Sequence, residues 1–137
     1  MSRNLALEKV GRARVAYALL QRGWKVGDSY DDGYDILAYH PVHRKAAFIE
    51  LKSMDIENRT KEGNLTAPVS STERHVCSHI VIYVEPHGWF FIARKGEILT
   101  EKGNIFAALN EGRTLRVPRE GSKSFARFKD CWDELLK

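Results

Sequence analysis

The order of elements in this sequence predicts an α/β (α+β) fold, a central mixed β-sheet flanked by helices. Three features point to it. The N-terminal stretch repeats apolar residues at helical spacing. Two pairs of short β-rich runs follow, each pair broken by a turn, and the C-terminal stretch carries a second helical stripe. The order is helix, hairpin, loop, hairpin, helices, with no internal repeat, low-complexity tract or linker.

Residues Asn4 to Arg22 form the first helix, because Ala6, Val10, Ala13, Tyr17 and Leu20 recur at helical spacing and Gly23 is a natural stop. "DSYDDG" follows as a turn cluster. Tyr34 to Tyr39 is a short strand, and "HPVHRK" is a loop because Pro41 suits turns and interrupts ladders. Ala46 to Ser53 is the second strand. Asp55 to Ser71 is polar, contains Gly63 and Pro68, and reads as a mobile loop. His79 to Val84 and Trp89 to Arg94 make a second strand pair around "EPHG". A short helix is expected within Gly96 to Asn110, and a small strand at Thr114 to Val117. Ser124 can cap a last helix whose apolar stripe is Phe125, Phe128, Trp132 and Leu135.

The chain of 137 residues suits one domain, 1–137, large enough to bury a core without staples. No apolar run is long enough to cross a bilayer and none resembles a signal peptide, so no membrane is expected as a partner. Cys77 and Cys131 are too few for a disulfide framework, which favours a reducing, cytoplasmic setting. A formal net charge of +4 permits an acidic partner such as nucleic acid without demonstrating one.

The stretch "FIELKS", Phe48 to Ser53, puts an acid and a base into the best strand. Side chains alternate along a strand, so Glu50 and Lys52 share one face while Ile49 and Leu51 share the other. With the hairpin loop centred between Val42 and His43, Leu37 pairs with Phe48, Ile36 with Ile49 and Asp35 with Glu50. Opposed side chains have Cβ atoms about 4.5–5.5 Å apart. Two carboxylates so placed repel unless a positive charge lies between them. Lys52 is one candidate, and a divalent cation is another, since carboxylates, a backbone carbonyl and water make an ordinary Mg²⁺ site. The alternative is a structural ion pair, which is costly to bury.

Asp35, followed after a hairpin by Glu50-Leu51-Lys52, resembles the D…(E/D)-x-K signature of the PD-(D/E)XK nuclease superfamily. A helix carrying Glu8, then "LLQRGWKV", then a glycine-and-acid turn before "YDILAY", is similar to archaeal Holliday-junction resolvases and small restriction-like endonucleases. The resemblance covers Leu5 to Ser53, and Tyr34 stands where the superfamily name has proline. It implies a restriction-endonuclease-like sheet and a Mg²⁺-dependent endonuclease acting on DNA, with Mn²⁺ able to substitute and a homodimer expected because one such site cuts one strand. Asp35, Glu50 and the Leu51 carbonyl would bind the metal. Lys52 would orient or help deprotonate the attacking water. Glu8 would assist the metal, although it also precedes Arg12 by one helical turn, the order of an exposed ion pair. The alternatives are a structure-selective Holliday-junction resolvase and a non-catalytic nucleic-acid-binding module that kept the core.

Basic residues are scattered: Lys9, Arg12 and Arg14 on the first helix, and Arg113, Arg116, Arg119, Lys123 and Arg127 near the C-terminus. Arg12, Arg59, Lys61, Arg116 and Lys123 are assigned as phosphate contacts, with Arg59 and Lys61 placed to close over a duplex. His75, Cys77 and His79 alternate, but they have no obvious fourth ligand and read as ordinary residues entering a strand. Trp89, Phe90 and Phe91 read as core rather than a base-stacking platform.

Overall fold

The computed structural model describes residues 3–29, 33–55, 57, 64–98, 104–110, 114–116 and 128–137. Helix α1 (Arg3–Gln21) leads into β1 (Lys25–Asp28), β2 (Ile36–His40) and β3 (Lys45–Asp55). Then come β4 (Asn64–Pro68), α2 (Ser71–Val76), β5 (His79–Glu85), β6 (Trp89–Arg94), α3 (Lys95–Ile98), β7 (Asn104–Asn110), β8 (Thr114–Arg116) and a 3₁₀ helix, Trp132–Leu136. Five strands form a mixed sheet in the order β1-β2-β3-β5-β6; β4, β7 and β8 form a second, antiparallel sheet. With its flanking helices the five-stranded sheet has the α+β architecture expected from the element order.

α1 stops as its sequence suggests. Gly23 adopts φ 86°. Its N–H bonds the Leu20 carbonyl at 3.2 Å, and the Trp24 N–H bonds the Leu19 carbonyl at 3.1 Å. This is a Schellman cap, and buried Trp24 and Leu19 complete it from the apolar side. The apolar repeat that marks the helix is not the face it buries. Val10, Tyr17 and Leu20 are exposed, whereas Val15, Ala18 and Leu19 are buried with Ile36, Ile49 and Val81. Apolar residues lie on both sides of this helix, so periodicity alone selects the wrong side.

β3 is central. It pairs antiparallel with β2, Ile36 opposite Ile49 and Leu37 opposite Phe48, as the symmetric hairpin predicts. On its other side it runs parallel to β5, Glu50 beside Ile80 and Lys52 beside Ile82. One face, with Ile49 and Leu51, packs with α1 and the 3₁₀ helix. The other buries Ile80, Ile82, Phe91, Ile98 and Phe128. Phe91 is core, and Trp89 and Phe90 pack against the two clusters.

Several expectations change. Part of the stretch read as a loop, Asn64–Pro68, is a strand; the short helix expected within Gly96 to Asn110 is α3, which ends at Ile98, and Asn104–Asn110 is instead the antiparallel partner of β4. Neither strand has a local signal strong enough to decide; pairing with the other does. β1 and α2 were not anticipated. Of the last helix, the described residues show the 3₁₀ turn Trp132–Leu136, with Trp132 and Leu135 buried, and Ser124 and Phe125 lie outside the described residues. His75 sits on α2, Cys77 caps it and His79 opens β5, so the three do not alternate along one strand.

Gly11 lets α1 lie directly on β3. A Cβ there would come 2.0 Å from Ser53 Oγ and 3.3 Å from the Tyr83 ring. Gly11→Ala gains up to about 1 kcal/mol of helix propensity but should still destabilise the protein, since overpacking costs roughly 1–3 kcal/mol. Adding Ser53→Ala should recover most of that loss in urea denaturation. Additive losses would mean that the two positions do not meet.

Candidate active site

The site forms where the β2–β3 ladder ends. β2 begins at Ile36, whereas β3 runs on to Asp55 beside β5. At the junction the Asp35 N–H bonds the Ile49 carbonyl at 2.7 Å, and Asp35 Oδ2 accepts the Leu51 N–H at 2.7 Å. A side-chain carboxylate thus takes the place of the next backbone acceptor, and that bond fixes its direction toward β3. Glu50 follows on β3 and is 3% exposed. Lys52, on the same face, places Nζ 3.5 Å from Glu50 Oε1.

A further acid joins them. Lys52 Nζ lies 3.4 Å from Glu73 Oε2 on α2. Glu73 is held by a reciprocal capping box: its N–H donates to Ser70 Oγ at 3.1 Å, and the Ser70 N–H donates to Glu73 Oε1 at 2.7 Å. The sequence reading missed Glu73, although Ser70-x-x-Glu73 is a legible helix-start signature.

A cavity of about 420 Å³ opens over this edge, lined from α1 by Glu8, Lys9 and Arg12, and beyond it by Asp35, Glu50, Lys52, Ser53 and Glu73. The four residues expected to carry chemistry, Glu8, Asp35, Glu50 and Lys52, therefore line one cavity. The Arg12 guanidinium pairs with Asp28 and donates to the Asp35 carbonyl, which ties α1 to β1 and to the turn before β2. It does not pair with Glu8 in the manner of the exposed i,i+4 alternative. Arg116 lies on β8, its backbone opposite Ala108. Arg59, Lys61 and Lys123 lie outside the described residues.

Glu50 carries the strongest electrostatic signature. Burial first, then the carboxylates of Asp35 and Glu73, push its carboxyl from 4.5 to about 9, with Lys52 pulling the other way. For Glu73, burial acts upward but is outweighed by hydrogen bonding to Glu50 and Ser70 and by the charge of Lys52, which bring it down to about 2. The proton therefore resides on Glu50 and Glu73 remains charged. Among the described residues, no three His, Cys, Asp or Glu side chains are grouped to hold a metal by themselves. The donors at hand are the Asp35 and Glu50 carboxylates and backbone oxygens of β3.

The fold is that of a bacterial homing endonuclease. The chain superimposes on I-Ssp6803I with a TM-score of 0.72 and 20% sequence identity, covering 99% of this chain and 93% of that one. No protein-family model matches the chain, and neither does any curated protein. Among the described residues no helix is long and apolar enough to cross a membrane.

The pH dependence of folding follows from Glu50. From about pH 4.5 to about pH 9 the folded chain keeps a proton that the unfolded chain has released, so rising pH favours unfolding through that window. In metal-free buffer Glu50→Gln, which keeps the shape without titrating, should lose less stability than wild type between about pH 5 and about pH 9. Urea denaturation curves across the range check this; equal slopes would mean that Glu50 ionises normally.

Proposed function

We propose that this chain is a Mg²⁺-dependent DNA endonuclease of the PD-(D/E)XK type. The observation that carries the reading is the meeting of Asp35 and Glu50 at the end of the β2–β3 ladder, with Lys52 on the same face and all three lining one cavity. A degenerate binding module would have little reason to keep a buried acid facing another. The fold shared with a bacterial homing endonuclease supports the same class.

The residues suit a hard divalent cation. Asp35 and Glu50 offer oxygen donors, the Leu51 carbonyl is adjacent, and Glu50 lies where negative charge is in excess. Glu8 would assist from α1, through water. Mn²⁺, with similar oxygen preferences, is expected to substitute. When bound, the ion supplies Lewis-acid stabilisation of the phosphate and lowers the pKa of a water ligand. Lys52 contributes a second positive centre against the charge developing on the phosphate and hydrogen-bonds the attacking water. Dispersed cations, Arg12 and Arg116 with Arg59, Lys61 and Lys123, would supply most of the affinity for the DNA backbone. Cutting both strands calls for a homodimer, since one such site cuts one strand. Cys77 and Cys131, neither of them in a disulfide, suit a reducing cytoplasm.

Labelled linear, nicked and four-way-junction DNAs, with Mg²⁺ or with EDTA, test the reading. Cleavage should require Mg²⁺, and selective cutting of the four-way junction would make the protein a resolvase. Full cleavage in EDTA would end the metal mechanism. Asp35→Asn should abolish cleavage while leaving the metal-free protein as stable as wild type or more so, because it relieves one of two facing carboxylates. Strong destabilisation would instead mark a structural ion pair.

Lys52→Ala should slow cleavage on the order of a hundredfold or more, with DNA binding only modestly weaker. Lys52→Arg should also be badly impaired, because a planar guanidinium does not replace a compact ammonium in a confined site. Wild-type rates in both variants would reduce Lys52 to a salt bridge.

A further inference from the structure

Lys52 carries a long, flexible side chain, and its ammonium has Glu50 as one partner. That partner is unreliable. If Glu50 exchanges its proton for a cation, as in the endonuclease reading on which this inference rests, the cation engages its oxygens and repels the ammonium. An ammonium that must stay at the cavity needs an anchor outside the metal's own ligand set.

We propose that Glu73 is that anchor, a positioning residue that holds Lys52 at the reaction centre from across the cavity. In the metal-free protein Glu73 also hydrogen-bonds Glu50, and its two oxygens otherwise face different partners. Oε1 is fixed by the Ser70 N–H at 2.7 Å, and Oε2 faces Lys52 Nζ at 3.4 Å. The side chain is therefore held by the first turn of α2 before it meets the lysine. The backbone of α2 is fixed in turn: the Arg74 N–H bonds the Ser70 carbonyl at 2.9 Å, and Lys95 Nζ donates to the Arg74 carbonyl at 2.6 Å. β3 thus supplies the ammonium and α2 a rigid carboxylate to receive it. Pre-organised supporting contacts of this kind are what keep a reacting group in a productive position.

Glu73→Gln isolates the charge. Glutamine can still accept the Ser70 N–H in the capping box, so α2 keeps its start. At saturating Mg²⁺ and DNA, the single-turnover cleavage rate should fall by about ten- to a hundredfold, with the Kd for DNA essentially unchanged. In a Lys52→Ala background, Glu73→Gln should cause no further loss, because its effect passes through the lysine. A wild-type rate for Glu73→Gln, or losses that multiply in the double variant, would overturn the proposal. A second readout needs no activity. Acetylation of Lys52 by acetic anhydride, followed by peptide mass spectrometry against exposed Lys25, should be several-fold faster in Glu73→Gln than in wild type. If the wild type cleaves none of the DNAs, the endonuclease reading fails and the labelling alone judges the anchor. Unchanged labelling of Lys52 would overturn it.

Discussion

The repulsion between Asp35 and Glu50 is the constraint around which this edge of the molecule is arranged. The two acids meet because β2 begins only at Ile36, one residue after Asp35, while β3 runs on past Glu50 to Asp55, and because the Leu51 N–H draws Asp35 Oδ2 toward β3. Burial makes the encounter worse, and the metal-free chain answers it with a proton on Glu50 and the ammonium of Lys52. A structural ion pair would have no need of the second acid. A site that binds a cation needs it.

The rest of the fold positions this edge. α1 can approach β3 closely because Gly11 has no Cβ to meet Ser53, and the same helix brings Glu8 and Arg12 to the cavity. Arg12 then reaches past the end of β2 to Asp28 and to the Asp35 carbonyl. α2 closes the opposite side, its first turn carrying Glu73. Beneath the charged edge, Ile80, Ile82 and Phe91 are fully buried, so the groups above stand on a rigid sheet.

How much of this was legible depends on where each signal resides. The β2–β3 register could be read because a one-residue slip would turn Ile36, Ala38 and Ile49 to the wrong face, and the hairpin loop is symmetric. With the register came Asp35, Glu50 and Lys52. α1 could be read as a helix, but not its buried side, since Val10, Tyr17 and Leu20 compete with Val15, Ala18 and Leu19. β4 and β7 could not be read, because each is a strand by virtue of the other. Glu73 was hidden differently. Its local role as a capping residue is written in the sequence, but its place beside Lys52 exists only once α2 is set against the central sheet.

The central claim is that Asp35 and Glu50 together hold a divalent cation, and calorimetric titration of the DNA-free protein with Mg²⁺, and with Ca²⁺ as a non-catalytic probe, tests it most directly. Wild type should bind the ion, and Asp35→Asn and Glu50→Gln should each lose most of that binding while remaining folded, because each removes a charged oxygen ligand. Binding that is unaffected by either substitution would place the cation elsewhere and contradict the account.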